Sequence, residues 1–155
     1  MAQTSRQYIQ RLQIIHGAQV TMIIIFNLIA YVSRPPRTDD QIFLYAFLGV
    51  LIAGLLASRM IFSTLVAKAN AETSLAAKLT KYLTAFIVRM AFLEIPGFFA
   101  AVIILITGNP LVLIGTAGIL VIFFLVRPSA DLLQRELTLS ADDRARIADP
   151  NGIVG

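Results

Sequence analysis

Long apolar runs alternate with short polar segments along this chain. The runs fall at about 14–32, 42–67, 83–107 and 110–126. A helix rises 1.5 Å per residue, so roughly 20 residues cross the hydrocarbon core of a bilayer. The pattern predicts an all-α protein: a four-transmembrane-helix bundle in one membrane domain over 1–155, ending in a cytoplasmic tail over 127–155 with short helices. The second and third runs exceed the bilayer thickness and should tilt or project into water. The fourth is just long enough.

The polar segments refine the elements. Tyr8, Ile9, Leu12 and Ile15 recur at helical spacing, with Arg6 and Arg11 off that face. This predicts an interfacial helix running into the first span rather than a cleaved signal peptide. Thr4 and Gln7 have capping-box spacing. Pro35 and Pro36 break the chain between the first two runs, within a polar turn over 33–40. Residues 68–81 favour helix and extend both flanking helices. Residues 107–110 (TGNP) form a tight turn. In the tail, Ser129 and Ser140 are N-cap residues, and Asp142 and Asp143 sit where the helix dipole favours them. The tail reads as a solvated helix pair, with a docking surface as the alternative.

Composition sharpens the class. The chain is 57% hydrophobic and 14% charged, against about a quarter charged in soluble domains. It has no cysteine and one histidine. That excludes disulfides, cysteine-built metal centres and a multi-histidine site within one chain, so no cofactor or metal is expected. The basic residues flank the apolar runs instead of clustering among aromatics, which points to the lipid bilayer and away from nucleic acid. With four spans, nine Lys and Arg fall on one side, against Arg34 and Arg37 on the other. The positive-inside rule then places both termini in the cytoplasm of a multi-pass inner-membrane protein.

Candidate chemistry lies inside the runs. Glu94 sits mid-run, two residues before Pro96. A carboxylate at the bilayer centre costs about 2.5–3.5 kcal/mol on insertion scales unless paired, protonated or hydrated. Arg59 and Arg89 are at matching depths in an antiparallel hairpin, about 12 Å in from the flanking lysines. Glu94 is about 7.5 Å deeper. Arg89 and Glu94 are about 140° apart on a straight helix and need a bend, which Pro96 as a helix kink could supply, to pair. Otherwise Arg59 is the depth-compatible partner. His16, Gln19 and Asn27 on the first span complete an expected intramembrane polar network.

Each residue has competing roles. Glu94 reads as a packing carboxyl, as a proton- or cation-coupling group, or as a contact to a partner subunit. Arg59 and Arg89 read as snorkelling side chains, counter-ions or an anionic-lipid site. His16 reads as interfacial or as a relay, and Gln19 and Asn27 as interhelical glue.

Small residues mark expected contact faces: Ala46, Gly49, Ala53 and Ala57 on the second run, and Gly97 and Ala101 on the third. No nucleophile elbow, phosphate loop or metalloprotease motif is present, so the chain is not expected to be an enzyme. The expectation is a structural or accessory subunit, or a self-associating bundle. The alternative is a small transporter or channel coupled through Glu94.

One resemblance bears on this. Residues 89–99 (RMAFLEIPGFF), 105–109 (LITGN), Arg127–Pro128 and 137–140 (LTLS) are similar to an uncharacterised family of small bacterial four-span integral membrane proteins. The shared pattern is an Arg, a short apolar stretch, Glu-Gly-Pro, an apolar run ending in Thr-Gly-Asn, and an Arg-Pro after the last span. It covers roughly the C-terminal half. Ile95 departs from the pattern's glycine, which bears on how closely another helix approaches there. The resemblance implies the topology, highlights Arg89, Glu94 and Pro96, and implies no activity.

Overall fold

The computed structural model describes residues 3–38 and 41–155. Asp39 and Asp40, in the predicted 33–40 turn, lie outside the described residues. Among the described residues the protein is all-α, with six helices: α1 (Ser5–Val32), α2 (Gln41–Asn70), α3 (Leu75–Thr107), α4 (Val112–Leu125), α5 (Ala130–Glu136) and α6 (Ala141–Ala148). The first three are each long and apolar enough to cross a membrane.

The termini of these helices follow from local chemistry. Thr4 and Gln7 form a reciprocal capping box at the start of α1. Ser74, Ser129 and Ser140 each cap the helix that follows by accepting a backbone N–H. Gly108 ends α3 in the left-handed conformation, φ 64°. A side chain there would also strike the Pro35 carbonyl oxygen, its Cβ only 2.3 Å away, so position 108 demands glycine twice over.

α4 differs from expectation. Its 14 residues span about 21 Å, short of a hydrocarbon core of about 30 Å. Helical geometry begins at Val112 because Asn109 and Pro110 are used in the turn, where the Asn109 side chain accepts from the Leu111 N–H. It ends at Leu125 because Arg127 precedes Pro128, and a residue before proline is pushed out of helical geometry. The chain then turns 88° into α5, so a fourth apolar crossing exists only if α4 and α5 count as one broken span.

Cross-contacts establish the topology. α1 and α3 run parallel: Tyr8 meets Leu79 and Asn27 meets Gly97. α2 and α4 run the other way: Gly54 meets Pro96, and Phe123 meets His16. α3 is the central helix, packed on α1, α2 and α4. One end of the bundle holds both termini and the α2–α3 turn. The other holds the α1–α2 and α3–α4 connections, tied where Thr38 donates to the Thr107 carbonyl oxygen at 2.8 Å.

The tail is docked rather than solvated. Leu133, Leu137, Leu139, Ile147 and Val154 are buried in one core cluster with Tyr8, Leu12, Leu79 and Tyr82. These five apolar side chains close over the terminal end of the bundle, which burying them favours. Backbone bonds then stitch residues 3–6 to residues 150–155, among them Ser5 N–H to the Gly152 carbonyl oxygen at 2.9 Å. Thr138 is fixed from both sides, accepting from Lys78 Nζ at 2.6 Å and donating to the Asn70 side chain at 2.8 Å.

The small-residue faces also sort differently. Gly54, outside the predicted stripe, lies tight against α3. A Cβ there would lie 2.9 Å from the Phe92 carbonyl oxygen and 3.0 Å from the Pro96 ring. Ala46, Gly49 and Ala53 face outward, and Ala57 is half-buried. Gly97 does meet a neighbour: its Cβ would stand 3.1 Å from Ile23 on α1.

Candidate functional site

The seven polar and proline positions singled out from the sequence divide into separate groups. The first is a crossing point around Pro96. Proline has no N–H, so the Phe92 carbonyl one turn back loses its helical partner. α2 presents Gly54 to that carbonyl. On the other side, the Asn27 side chain donates to the Gly97 carbonyl oxygen at 3.0 Å and to its own Ile23 carbonyl oxygen at 2.9 Å. Thr116 of α4 donates weakly to Asn27 Oδ1 at 3.5 Å. All four long elements thus meet at one level. α3 continues as one helix through Pro96, and its Pro96 level is where α2 approaches.

Glu94 lies beside this crossing. Gln19 of α1 is the side chain that faces its carboxyl. Among the described residues, Glu94 forms no salt bridge with Lys, Arg or His. The Gln19 Oε1 atom is buried without a hydrogen-bond partner. Ile95 is 50% exposed. No helix packs tightly on that position.

His16 is separate again. Its Nε2 lies 2.9 Å from the Phe123 carbonyl oxygen. A carbonyl only accepts, so Nε2 carries the proton. The ring also leans on the Phe123 ring, with centroids 5.7 Å apart.

The arginines occupy a fourth place, nearer the terminal end. Arg89 does not reach Glu94. It pairs with Glu136 of α5, Nη1 to Oε1 at 3.0 Å. The partner's other oxygen accepts from the Tyr82 hydroxyl. The Arg89 guanidinium also lies over the Phe62 ring, 4.4 Å from its centroid. Arg89 and Glu136 side chains are 19% and 18% exposed, so the pair is largely shielded and its hydrogen bonds are charge-assisted. Arg59, Arg89 and Glu136 line one cavity.

Sequence reasoning missed Glu136 and Tyr82. The depth argument compared only residues inside the apolar runs, and Glu136 belongs to the tail. The usable signal was the apolar set Leu133, Leu137 and Leu139 around it, which needs a surface to cover.

The described residues contain no cluster of three or more His, Asp or Glu side chains able to hold a metal. Comparison with family models, curated proteins and solved structures finds no match for this chain.

Proposed function

We propose that the protein is a non-catalytic, multi-pass protein of a bacterial inner membrane, with cytoplasmic termini. It acts as a structural or accessory subunit, or associates with itself. Three apolar helices supply spans, and α4 with the bend into α5 supplies the fourth. The excess of Lys and Arg at the terminal end supports the orientation.

The observation that carries this reading is the outer face of α2. This 30-residue apolar helix exposes Ala46, Gly49 and Ala53 to the outside. In lipid no hydrophobic force drives helices together, and close backbone approach over small residues does so instead. His16, Asn27 and Thr116 support it too, because they hold helices to one another. The test uses the absence of cysteine in the chain. Single cysteines at Gly49 or Ala53 should give a crosslinked dimer, or an adduct with one defined protein, in native membranes. A cysteine at exposed Ile114 of α4 should not. Failure to crosslink at 49 and 53 breaks the reading.

One observation favours a second reading, in which Glu94 couples proton or cation movement. It is an ionisable group in an apolar helix that faces an amide and no cation. Flux into liposomes that disappears in Glu94→Gln supports transport. Equal flux in both proteins, or none in either, removes it.

A further inference from the structure

We propose that Arg59 and Arg89 form a binding site for a phosphate-bearing anion at the level of the cytoplasmic headgroups. The site rests on the membrane reading above. A cavity of about 420 Å³ lies between α2, α3, α4 and α5, lined by Ser58, Arg59, Phe62, Ser63, Arg89 and Glu136 among others. Its size falls within the range of ligand clefts, about 300–1,000 Å³.

The charge in this cavity does not balance. Two guanidiniums face one carboxylate, and that carboxylate is already engaged by Arg89 and the Tyr82 hydroxyl. Among the described residues Arg59 has neither a salt bridge nor a hydrogen bond. A cation held in an apolar helix without a counter-charge is unfavourable. An anion in the cavity supplies that counter-charge. Phosphate fits best, because its oxygens accept the fork of guanidinium N–H donors.

The two arginines have different parts. Glu136 and the Phe62 ring hold Arg89 in place, so its outward N–H groups are pre-oriented. Arg59 is exposed and closes over the anion from α2. The Ser58 and Ser63 hydroxyls donate to their own helix, to the carbonyl oxygens of Leu55 and Met60, so their protons are already committed and the guanidinium N–H groups are the donors left for an anion. The apolar wall of Leu55, Leu93 and Ile122 suits the acyl chains of a lipid whose headgroup sits at the arginines. A soluble phosphate has the same headgroup chemistry and no use for that wall.

Native mass spectrometry of detergent-purified protein, titrated with phosphatidylglycerol or phosphatidylcholine, tests the site. Wild type should retain phosphatidylglycerol preferentially, and Arg59→Ala should weaken that retention about tenfold or more. Arg59→Lys should restore part of it, and Arg34→Ala at the opposite end should change nothing. Binding of inorganic phosphate that needs Arg59, with no lipid preference, assigns the site to a soluble anion. Equal retention of phosphatidylglycerol by wild type and Arg59→Ala, with no Arg59-dependent phosphate binding, overturns the proposal. Release of the chain from cell membranes by carbonate without detergent would break the membrane reading separately, and the inorganic phosphate titration would still decide the site.

Discussion

The two ends of the bundle are built on different principles. At the terminal end, bonds join residues far apart in sequence: Tyr8 to Leu79, Ser5 to Ile147, Lys78 to Thr138, Arg89 to Glu136. At the opposite end, a small core of Ala30, Phe47, Ala100, Ala101, Ile103, Ile104 and Val112 is held by apolar packing. Most of the polar bonds there are local, such as Thr107 to Ile103 and Leu111 to Asn109. Side-chain bonds between distant segments clamp the first end. In the second, small residues and turns leave shape complementarity as the main constraint. Between them, the Pro96 crossing draws on both.

The largest test strikes that crossing. Gly54→Leu would push a side chain into the Phe92 carbonyl and the Pro96 ring, and should destabilise the purified protein by about 3 kcal/mol in thermal unfolding. The same change at Gly49, where no atom lies within 4 Å of the added Cβ, should stay within about 0.5 kcal/mol. Equal effects would mean that α2 presents a different face to α3.

The terminal clamp is tested next. Glu136→Ala leaves Arg89 and Tyr82 without their shared partner and should cost about 2–3 kcal/mol. A double-mutant cycle with Arg89→Ala should recover a coupling above about 1 kcal/mol. Additive losses would show that the tail is held by its leucines alone.

Asn27→Leu probes the crossing more gently. It removes the amide bond to Gly97, and a polar bond between helices in lipid is worth about 0.6 kcal/mol on average, so a loss of about 1 kcal/mol is expected in the same unfolding assay. The smallest effect belongs to Glu94→Gln. With no cation opposite, the neutral isostere should change stability by less than about 0.5 kcal/mol. A loss of several kcal/mol would instead reveal a buried ion pair with a partner outside this chain.

Legibility in the sequence followed the range of the interaction. Helix identity, the capping box at Thr4 and the caps at Ser129 and Ser140 involve neighbours within a few residues, and the pattern displays them directly. The Gly97 contact was also legible, since a small residue in mid-helix lets a neighbour approach, and Ile23 of α1 does so. The partner of Arg89 was not, because the comparison was confined to the apolar runs, where Glu94 was the carboxylate on offer, while the actual carboxylate came from a tail that folds back. Nor was the contact face of α2. The small residues pointed to Ala46, Gly49, Ala53 and Ala57, whereas Gly54 is the position that meets the Phe92 carbonyl.

What the chain determined by itself is the apolar character of its helices, their caps and breaks, and the side of the bundle on which basic residues collect. All of these depend on periodicity and on residues close in sequence. Only the tertiary structure decided that the tail closes over one end, and that the two arginines share a cavity apart from Glu94. Those outcomes depend on which surfaces cover one another in three dimensions, and apolar helices offer many nearly equivalent surfaces for that choice.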